Sequence, residues 1–390
     1  MNMTRPIIVR NYALIVLPVI LFILYGSLFP FDFHRQPPGA LDELLRGWHR
    51  RPQRGDAIAN VLLYMPLGYF AVLALSRQAL GALRVILAIL LGAALSVGVE
   101  LTQYYDAGRD TQMADVYTNV AGTVLGAAAA QMAGGPLWKR LPWPRRGDPA
   151  ALMLLAAWAG YNLFPFAPVI DLHKYWNAVK PVLLHPHLSP YEFFTHAASW
   201  VTTAVLVDAI ALGRRSAFWY AALAAFLLGS KIVIMGGELS MAHLAGAALG
   251  LVFAMLMEVQ PRAMTLAAAA LLGCAILALR LEPFHFQGRT NDFGWIPFLS
   301  FMYGYIGVNT LSFLEKFFLY GGLIWLLRRC GIELRMAALG VTLLLLATSL
   351  AEIYLPGRSA EITDAVTALL VGGLIALVSP SHAGRASRAH

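Results

Sequence analysis

Three short strings end three long apolar segments of this chain: Phe29-Pro30-Phe31-Asp32, Phe164-Pro165-Phe166-Ala167 and Glu282-Pro283-Phe284-His285. A polar loop follows each Pro-Phe pair. An apolar segment then opens with a polar residue at nearly the same distance, and these residues are Asn60, His196 and Lys316. A pattern that recurs at a fixed period indicates a repeated structural unit. We therefore predict three copies of one unit.

Each copy continues in the same order. A third apolar segment ends at a charged residue, a short loop carries glycine beside a charge, and a fourth segment opens near an ionisable residue. These three positions hold Glu100, Arg109 and Asp115 in the first copy, Lys231, Glu238 and His243 in the second, and Glu352, Arg358 and Asp364 in the third. The expected units are residues 1–140, 141–260 and 261–390.

The composition excludes a soluble protein. Of the 390 residues, 59% are hydrophobic and 13% are charged, whereas soluble domains carry about 25% charged residues. Only helices or closed barrels satisfy their backbone inside lipid, and segments of roughly 20 apolar residues suit helices. We expect an all-α polytopic membrane protein with about twelve spans, near 11–29, 57–75, 83–103, 115–133, 150–168, 191–213, 217–236, 240–257, 262–281, 306–327, 335–354 and 363–379.

The net charge of +8 fits the excess of Lys and Arg in cytoplasmic loops better than it fits nucleic-acid binding. This bias predicts a plasma-membrane protein with both termini in the cytoplasm. The recurring polar positions then lie on the extracytoplasmic face. Cys274 and Cys330 have no metal-binding spacing, so we expect no metal and no cofactor.

Six residues of the first copy are the candidate ligand-binding residues. Asn60 lies four residues after Asp56 and Asn119 four after Asp115, while Gln103 lies three after Glu100, so each pair shares a helical face. Ionisable groups at membrane depth cost at least ~2.5 kcal/mol at a helix centre and are functional candidates. The candidates are Asn60, Glu100, Gln103, Arg109, Asp115 and Asn119.

A structural role for the same residues stays open. Asp115 is placed to cap a helix, and Glu100 is placed to form an ion pair with Arg109. The second copy carries this pair with its signs exchanged, as Lys231 and Glu238. The small residues Gly122 and Gly126, Gly246 and Gly250, and Ala368 and Gly372 recur four apart, which is typical of close helix packing.

One ordered set of residues resembles a known family. The set is Asp56-x3-Asn60, Tyr64-Met65-Pro66-Leu67-Gly68, Ser96-x3-Glu100-x2-Gln103, Arg109, Asp115-x3-Asn119 and Gly122. Over roughly residues 12–130 it resembles the VanZ-like membrane proteins, and two degenerate copies follow. The resemblance implies a cell-envelope role linked to glycopeptide (teicoplanin) resistance, and it implies no particular reaction.

The expected function is non-enzymatic binding of an amphiphilic or anionic envelope molecule in an outward-facing polar cavity. Arg109 would contact the anion, Asn60, Gln103 and Asn119 would form hydrogen bonds, and Glu100 would orient the arginine. The expected partners are membrane lipids and a lipid-linked precursor or lipoglycopeptide, with no nucleic acid.

Two alternatives remain. One is an enzyme that acts on a lipid phosphate or glycolipid through the Glu100 and Asp115 carboxylates. The other is a transporter that uses intramembrane charges such as Lys231 and Asp208.

The polar loops 30–55 and 171–190 are rich in Trp, His and basic residues and are expected near lipid headgroups.

Overall fold

The computed structural model describes residues 9–29, 31–49, 54–75, 81–107, 110–132, 148–212, 215–288, 292–303 and 306–379. Within these ranges the elements are helices, and the isolated β-bridges form no strand. Twelve helices match the predicted apolar segments: α1 Val9–Leu28, α3 Arg54–Ala74, α4 Gly81–Gln103, α5 Met113–Met132, α6 Pro149–Leu163, α8 Pro190–Ala211, α9 Ser216–Val233, α10 Met241–Met257, α11 Pro261–Leu281, α13 Ile306–Arg329, α14 Leu334–Ala351 and α15 Thr363–Val378.

The lengths of these helices confirm an all-α polytopic membrane protein. In the part of the chain that the structure describes, 7 helices are long and apolar enough to cross a membrane. Shorter apolar helical segments are Ile15–Leu28 within α1 and the helices α6, α10 and α15. The count of twelve spans stays a prediction.

Three further helices lie in polar loops where the sequence predicted none. They are α2 Ala40–Arg46, α7 Leu172–Leu184 and α12 Leu299–Tyr303. Each follows the first long helix of a predicted copy. The longest, α7, begins where the Asp171 carboxylate accepts a hydrogen bond from the His173 backbone N–H at 2.8 Å. Such a side-chain cap satisfies a backbone donor that the first helical turn leaves free. Most of loop 171–190 is therefore helical.

The chain divides into two compact units, Met1–Trp143 and Pro144–His390. In the first unit α3 packs along α5, and α1 and α4 complete a four-helix group. Helices α3 and α5 are in contact at two glycines of α5. A Cβ on Gly122 would collide with the Val61 carbonyl oxygen, and a Cβ on Gly126 would collide with the Met65 carbonyl oxygen. Small residues at such spacing let membrane helices approach closely. The predicted packing role of Gly122 and Gly126 is confirmed.

The second unit is built around two buried helices, α8 and α13. Residues 197–209 of α8 and 317–326 of α13 are buried throughout, with Trp200 and Trp325 fully enclosed. The helices α6, α9, α10 and α11 pack against α8, and α6, α11, α14 and α15 pack against α13. The predicted boundary at residue 260 falls inside this unit, so the division into three repeats stays a prediction.

The three Pro-Phe strings adopt the same backbone turn. The residue after each proline has a left-handed φ of 64°, 59° and 60° at Phe31, Phe166 and Phe284. Each of these donates its N–H to the carbonyl three residues earlier, at 2.7 to 2.8 Å. In each predicted copy, the loop after the first long helix then forms one backbone hydrogen bond, either to the last residue of the third long helix or to a residue just after it. This bond joins His34 N–H to Tyr105 O, Val169 N–H to Val233 O, and Gln287 N–H to Tyr354 O, at 2.8, 2.9 and 2.9 Å.

Candidate functional site

The first unit gathers polar side chains at one end of three helices. Asn60 lies near the beginning of α3, Glu100 and Gln103 lie at the end of α4, and Asp115 and Asn119 lie at the beginning of α5. The structure thus brings five of the six candidate residues to one end of the unit. The sixth, Arg109, and its predicted ion pair with Glu100 lie outside the described residues.

The outer part of this group joins α3 to α5. The amide nitrogen of Asn60 donates to Asp115 Oδ1 at 3.0 Å and to Thr118 Oγ1 at 3.3 Å. Both Asn60 and Asp115 are half-buried. A polar group from outside could therefore reach them without displacing a helix. The hydrogen bond also confirms that these two predicted positions face each other.

The inner part joins α4 to α5. Asn119 is 4% exposed and donates from its amide nitrogen to Ser96 Oγ at 3.0 Å. The fully buried Tyr64 hydroxyl of α3 lies beside the same serine. The Asn119 carbonyl oxygen has no hydrogen-bond partner among the described residues. A buried acceptor left in this state costs about 1–3 kcal/mol, which a bound donor would recover.

Glu100 and Gln103 hold the unit together. One Glu100 carboxylate oxygen accepts the Gln112 backbone N–H at 2.9 Å, and the Glu100 carbonyl accepts from the Thr111 hydroxyl at 3.0 Å. Gln103 donates to the Ser27 carbonyl of α1 at 2.7 Å. Both side chains are less than a tenth exposed. These bonds tie the loop after residue 110 and the end of α1 to α4, which supports the structural interpretation for this pair.

Sequence reasoning missed one buried acid at this end of the unit. Asp106 lies three residues after the end of α4, is 2% exposed, and its two carboxylate oxygens have no hydrogen-bond partner in the described part of the chain. Its neighbour Ala107 donates its backbone N–H to the Asp32 carbonyl at 2.9 Å. The only signal in the sequence was an acid just beyond the predicted span.

The corresponding positions of the second unit are also in contact. The His196 and His243 rings lie 4.0 Å apart between centroids. The Lys316 ammonium forms an ion pair with Asp364 at 2.7 Å. Every pair formed by the openings of a second and a fourth predicted segment is therefore in direct contact. The sequence predicted only that these recurring positions lie on one face of the protein.

A buried ion network surrounds Asp364. The Arg280 guanidinium of α11 pairs with both Glu352, at 2.8 Å, and Asp364, and it donates to the Ser349 hydroxyl at 2.7 Å. Arg358 pairs instead with Glu282 at 3.2 Å, at an exposed edge. The sequence singled out Glu352 and Asp364 but not Arg280, which stands three residues before Pro283, inside an apolar segment.

Lys174 links α7 to the end of α9 and the loop after it. Its ammonium donates to the carbonyls of Lys231, Ile232 and Gly237 at 3.0, 2.8 and 3.3 Å. Burial lowers the pKa of Lys174, and the nearby Glu238 carboxylate acts in the opposite direction. These bonds satisfy carbonyls that the end of α9 leaves free.

The described residues contain no group of three His, Cys, Asp or Glu side chains that could hold a metal ion. Comparison with known proteins gives one finding: residues 9–134 match the family model described as VanZ/LLP1. No curated protein and no solved structure matches the chain.

Proposed function

Because residues 9–134 match the VanZ/LLP1 family model and the chain is a multi-pass membrane protein, we propose that its first unit binds an amphiphilic or anionic molecule of the cell envelope. The binding site would be the polar end of α3, α4 and α5. The ligand class would be a lipid-linked precursor or a lipoglycopeptide, and the role would be non-enzymatic, with a link to glycopeptide resistance.

The observation that supports this proposal most is that burial increases from the outer to the inner residues of the polar cluster at the end of α3, α4 and α5. Half-buried Asn60 and Asp115 form the outer edge, and buried Asn119 keeps a carbonyl oxygen that no described residue contacts through a hydrogen bond. A headgroup hydroxyl or amide N–H could donate to that oxygen. Arg109, which the sequence places between α4 and α5, would supply the charge-assisted bond to an anionic group.

We further propose that this polar end faces outward from the plasma membrane, with both termini in the cytoplasm. The distribution of Lys and Arg supports this orientation. Envelope lipids and lipoglycopeptides would then reach the site from the outer leaflet. Membrane lipids would surround the apolar helix faces.

We also propose that the chain contains three divergent copies of one unit. Two observations support the repeat. The left-handed turn and backbone bond after each Pro-Phe string recur three times. The openings of the second and fourth segments also touch in every copy, through Asn60–Asp115, His196–His243 and Lys316–Asp364.

Complementation of a deletion strain challenged with a lipoglycopeptide tests the proposed binding site. Asn60→Ala and Asn119→Ala should reduce resistance to the level of the deletion strain, because both remove hydrogen-bonding groups of the site. The matched control Asn177→Ala removes an exposed amide from α7 and should leave resistance intact. Expression is matched by blotting, and thermal stability in detergent shows that each variant is folded.

Native mass spectrometry of the gently extracted protein provides a direct readout of binding. A co-purified envelope lipid should be retained by the wild type and by Asn177→Ala, and lost from Asn119→Ala. Full resistance and full lipid retention in folded Asn119→Ala would reject the site.

A further inference from the structure

We propose that His196, Lys231 and His243 form, together with the Ser240 hydroxyl, a second binding site that takes a phosphate-type anion. The site lies within the second unit, and it does not depend on the function proposed for the first.

The two histidines and the serine form a compact polar cluster at the openings of α8 and α10. The ring centroids of His196 and His243 are 4.0 Å apart, and the ring planes meet at 35°. Ser240 precedes α10, with its Oγ 2.6 Å from His243 Nδ1 and 3.3 Å from the His243 backbone nitrogen. The backbone N–H groups at a helix start add partial positive charge at this point.

Lys231 brings a full positive charge to the cluster. It lies at the end of α9 and acts electrostatically on both rings. All three basic side chains are half-buried, so they are partly shielded from solvent and still accessible to a ligand. A half-buried ammonium without a carboxylate beside it is unfavourable by itself, because it loses solvation.

The carboxylates of the neighbouring elements are directed to other partners. Asp208, at the far end of α8, accepts from the Ser216 hydroxyl at 2.7 Å. Glu238 of the loop after α9 acts on Lys174. Glu192 lies exposed in the first turn of α8. In the described residues, Lys231 is thus the charged side chain that acts on both rings.

The third predicted copy shows what a self-satisfied version of the same positions looks like. There Lys316 pairs with Asp364 at 2.7 Å, and Glu352 pairs with Arg280 at 2.8 Å. Two cations face two carboxylates, so the charges balance inside the protein. The second copy places His, His and Lys at the three recurring positions, where the balancing negative charge would come from a ligand.

A phosphate group matches this set of donors. Its oxygens accept charge-assisted hydrogen bonds from an ammonium and from imidazole N–H groups, which are shorter and stronger than neutral ones. The remaining backbone N–H groups at the start of α10 offer further donors. The same chemistry is found in a lipid phosphate headgroup and in free inorganic phosphate.

Calorimetric titration of inorganic phosphate into the full chain tests the site. The protein is held in dodecyl maltoside, a detergent without phosphate. Phosphate should bind the wild type. The affinity should fall about tenfold or more in Lys231→Gln and in the double variant His196→Gln/His243→Gln, corresponding to about 1.4 kcal/mol or more. Lys231→Arg should retain binding. The control Lys180→Gln removes an exposed cation from α7 and should bind as the wild type does.

Mixed micelles that contain phosphatidylglycerol distinguish the two sources of phosphate. Weaker binding of inorganic phosphate in these micelles, with lipid retained by the wild type and lost from Lys231→Gln in native mass spectra, identifies the lipid headgroup. Unchanged binding identifies the free anion.

Three results would overturn the proposal. The first is a folded wild type that binds neither phosphate nor the anionic lipid. The second is an equal loss of affinity in Lys180→Gln. The third is histidine-dependent binding of Zn²⁺ by a protein that does not bind phosphate, which would make the ring pair a metal site. Melting temperatures confirm that each variant is folded, and Lys231→Arg keeps the test decisive if Lys231→Gln unfolds.

Discussion

Replacing Arg280 with glutamine should destabilise the second unit strongly. Its guanidinium faces two carboxylates, Glu352 and Asp364, which are 2% and 4% exposed. Without it, Lys316 is left as the cation that pairs with Asp364, and one negative charge in the network is uncompensated. Breaking a buried pair by removing one partner costs about 3–5 kcal/mol, because the remaining charge stays desolvated.

The free energy of unfolding can be measured by titrating the purified protein in mixed micelles with sodium dodecyl sulfate and following helicity. The matched control Arg335→Gln removes an exposed arginine from the beginning of α14. Surface substitutions of this kind change stability by no more than about 0.5 kcal/mol.

A second variant separates charge from packing. In Arg280→Gln/Glu352→Gln one positive and one negative charge leave together, and the pair of Lys316 with Asp364 remains. This double variant should be about 1–3 kcal/mol more stable than Arg280→Gln, since interacting residues show coupling energies of that order. Additive losses from the two single changes, or an Arg280→Gln variant as stable as Arg335→Gln, would show that the network does not act as described.

Three further predictions concern packing, the α7 tether and orientation. Gly126→Ala should cost about 1–3 kcal/mol, because its Cβ meets the backbone of α3, whereas Gly98→Ala, with no atom within 4 Å of its Cβ, should be neutral or stabilising in the same titration. Lys174→Met should speed amide hydrogen exchange throughout α7, since it removes three bonds to carbonyls; unchanged exchange would show that the helix is held by other contacts. In intact cells an impermeant maleimide should label a cysteine at Asp110 and not one at Arg215, and the reverse pattern would place the polar end inside.

Hydrophobic length and recurring polar positions were enough to predict the twelve long helices and the position of five of the six candidate residues at one end of the first unit. The direct hydrogen bond between Asn60 and Asp115 was not predicted, although both residues lie near the beginnings of helices at the same end of the unit. Burial of α8 and α13 followed from no sequence signal, since every span is apolar whichever neighbours surround it. The short helix α7 was missed because its residues were interpreted by composition and not by helical spacing.

The ion network shows why partner identity was harder to predict than position. Exchanged signs at Lys231 and Glu238 suggested that each helix-end charge pairs with the following loop. In the third copy, however, Glu352 pairs with Arg280 of α11, and Arg358 pairs with Glu282. Only the fold decides which of several cations within reach is desolvated together with a given carboxylate. Local spacing in the sequence carries no information on that choice.

The three predicted copies therefore differ in how the charged and polar side chains at the recurring positions are paired. In the third predicted copy, the charges at Lys316, Glu352 and Asp364 are balanced by Arg280. Attraction between these charges offsets the cost of burying them. At the first predicted copy, Asn119 keeps an acceptor that has no partner among the described residues. At the second, the Lys231 ammonium is partly withdrawn from solvent beside two imidazoles. A polar group that the protein leaves unsatisfied lowers stability unless something else binds it. We accordingly expect ligand binding at the first two predicted copies and a stabilising role for the third.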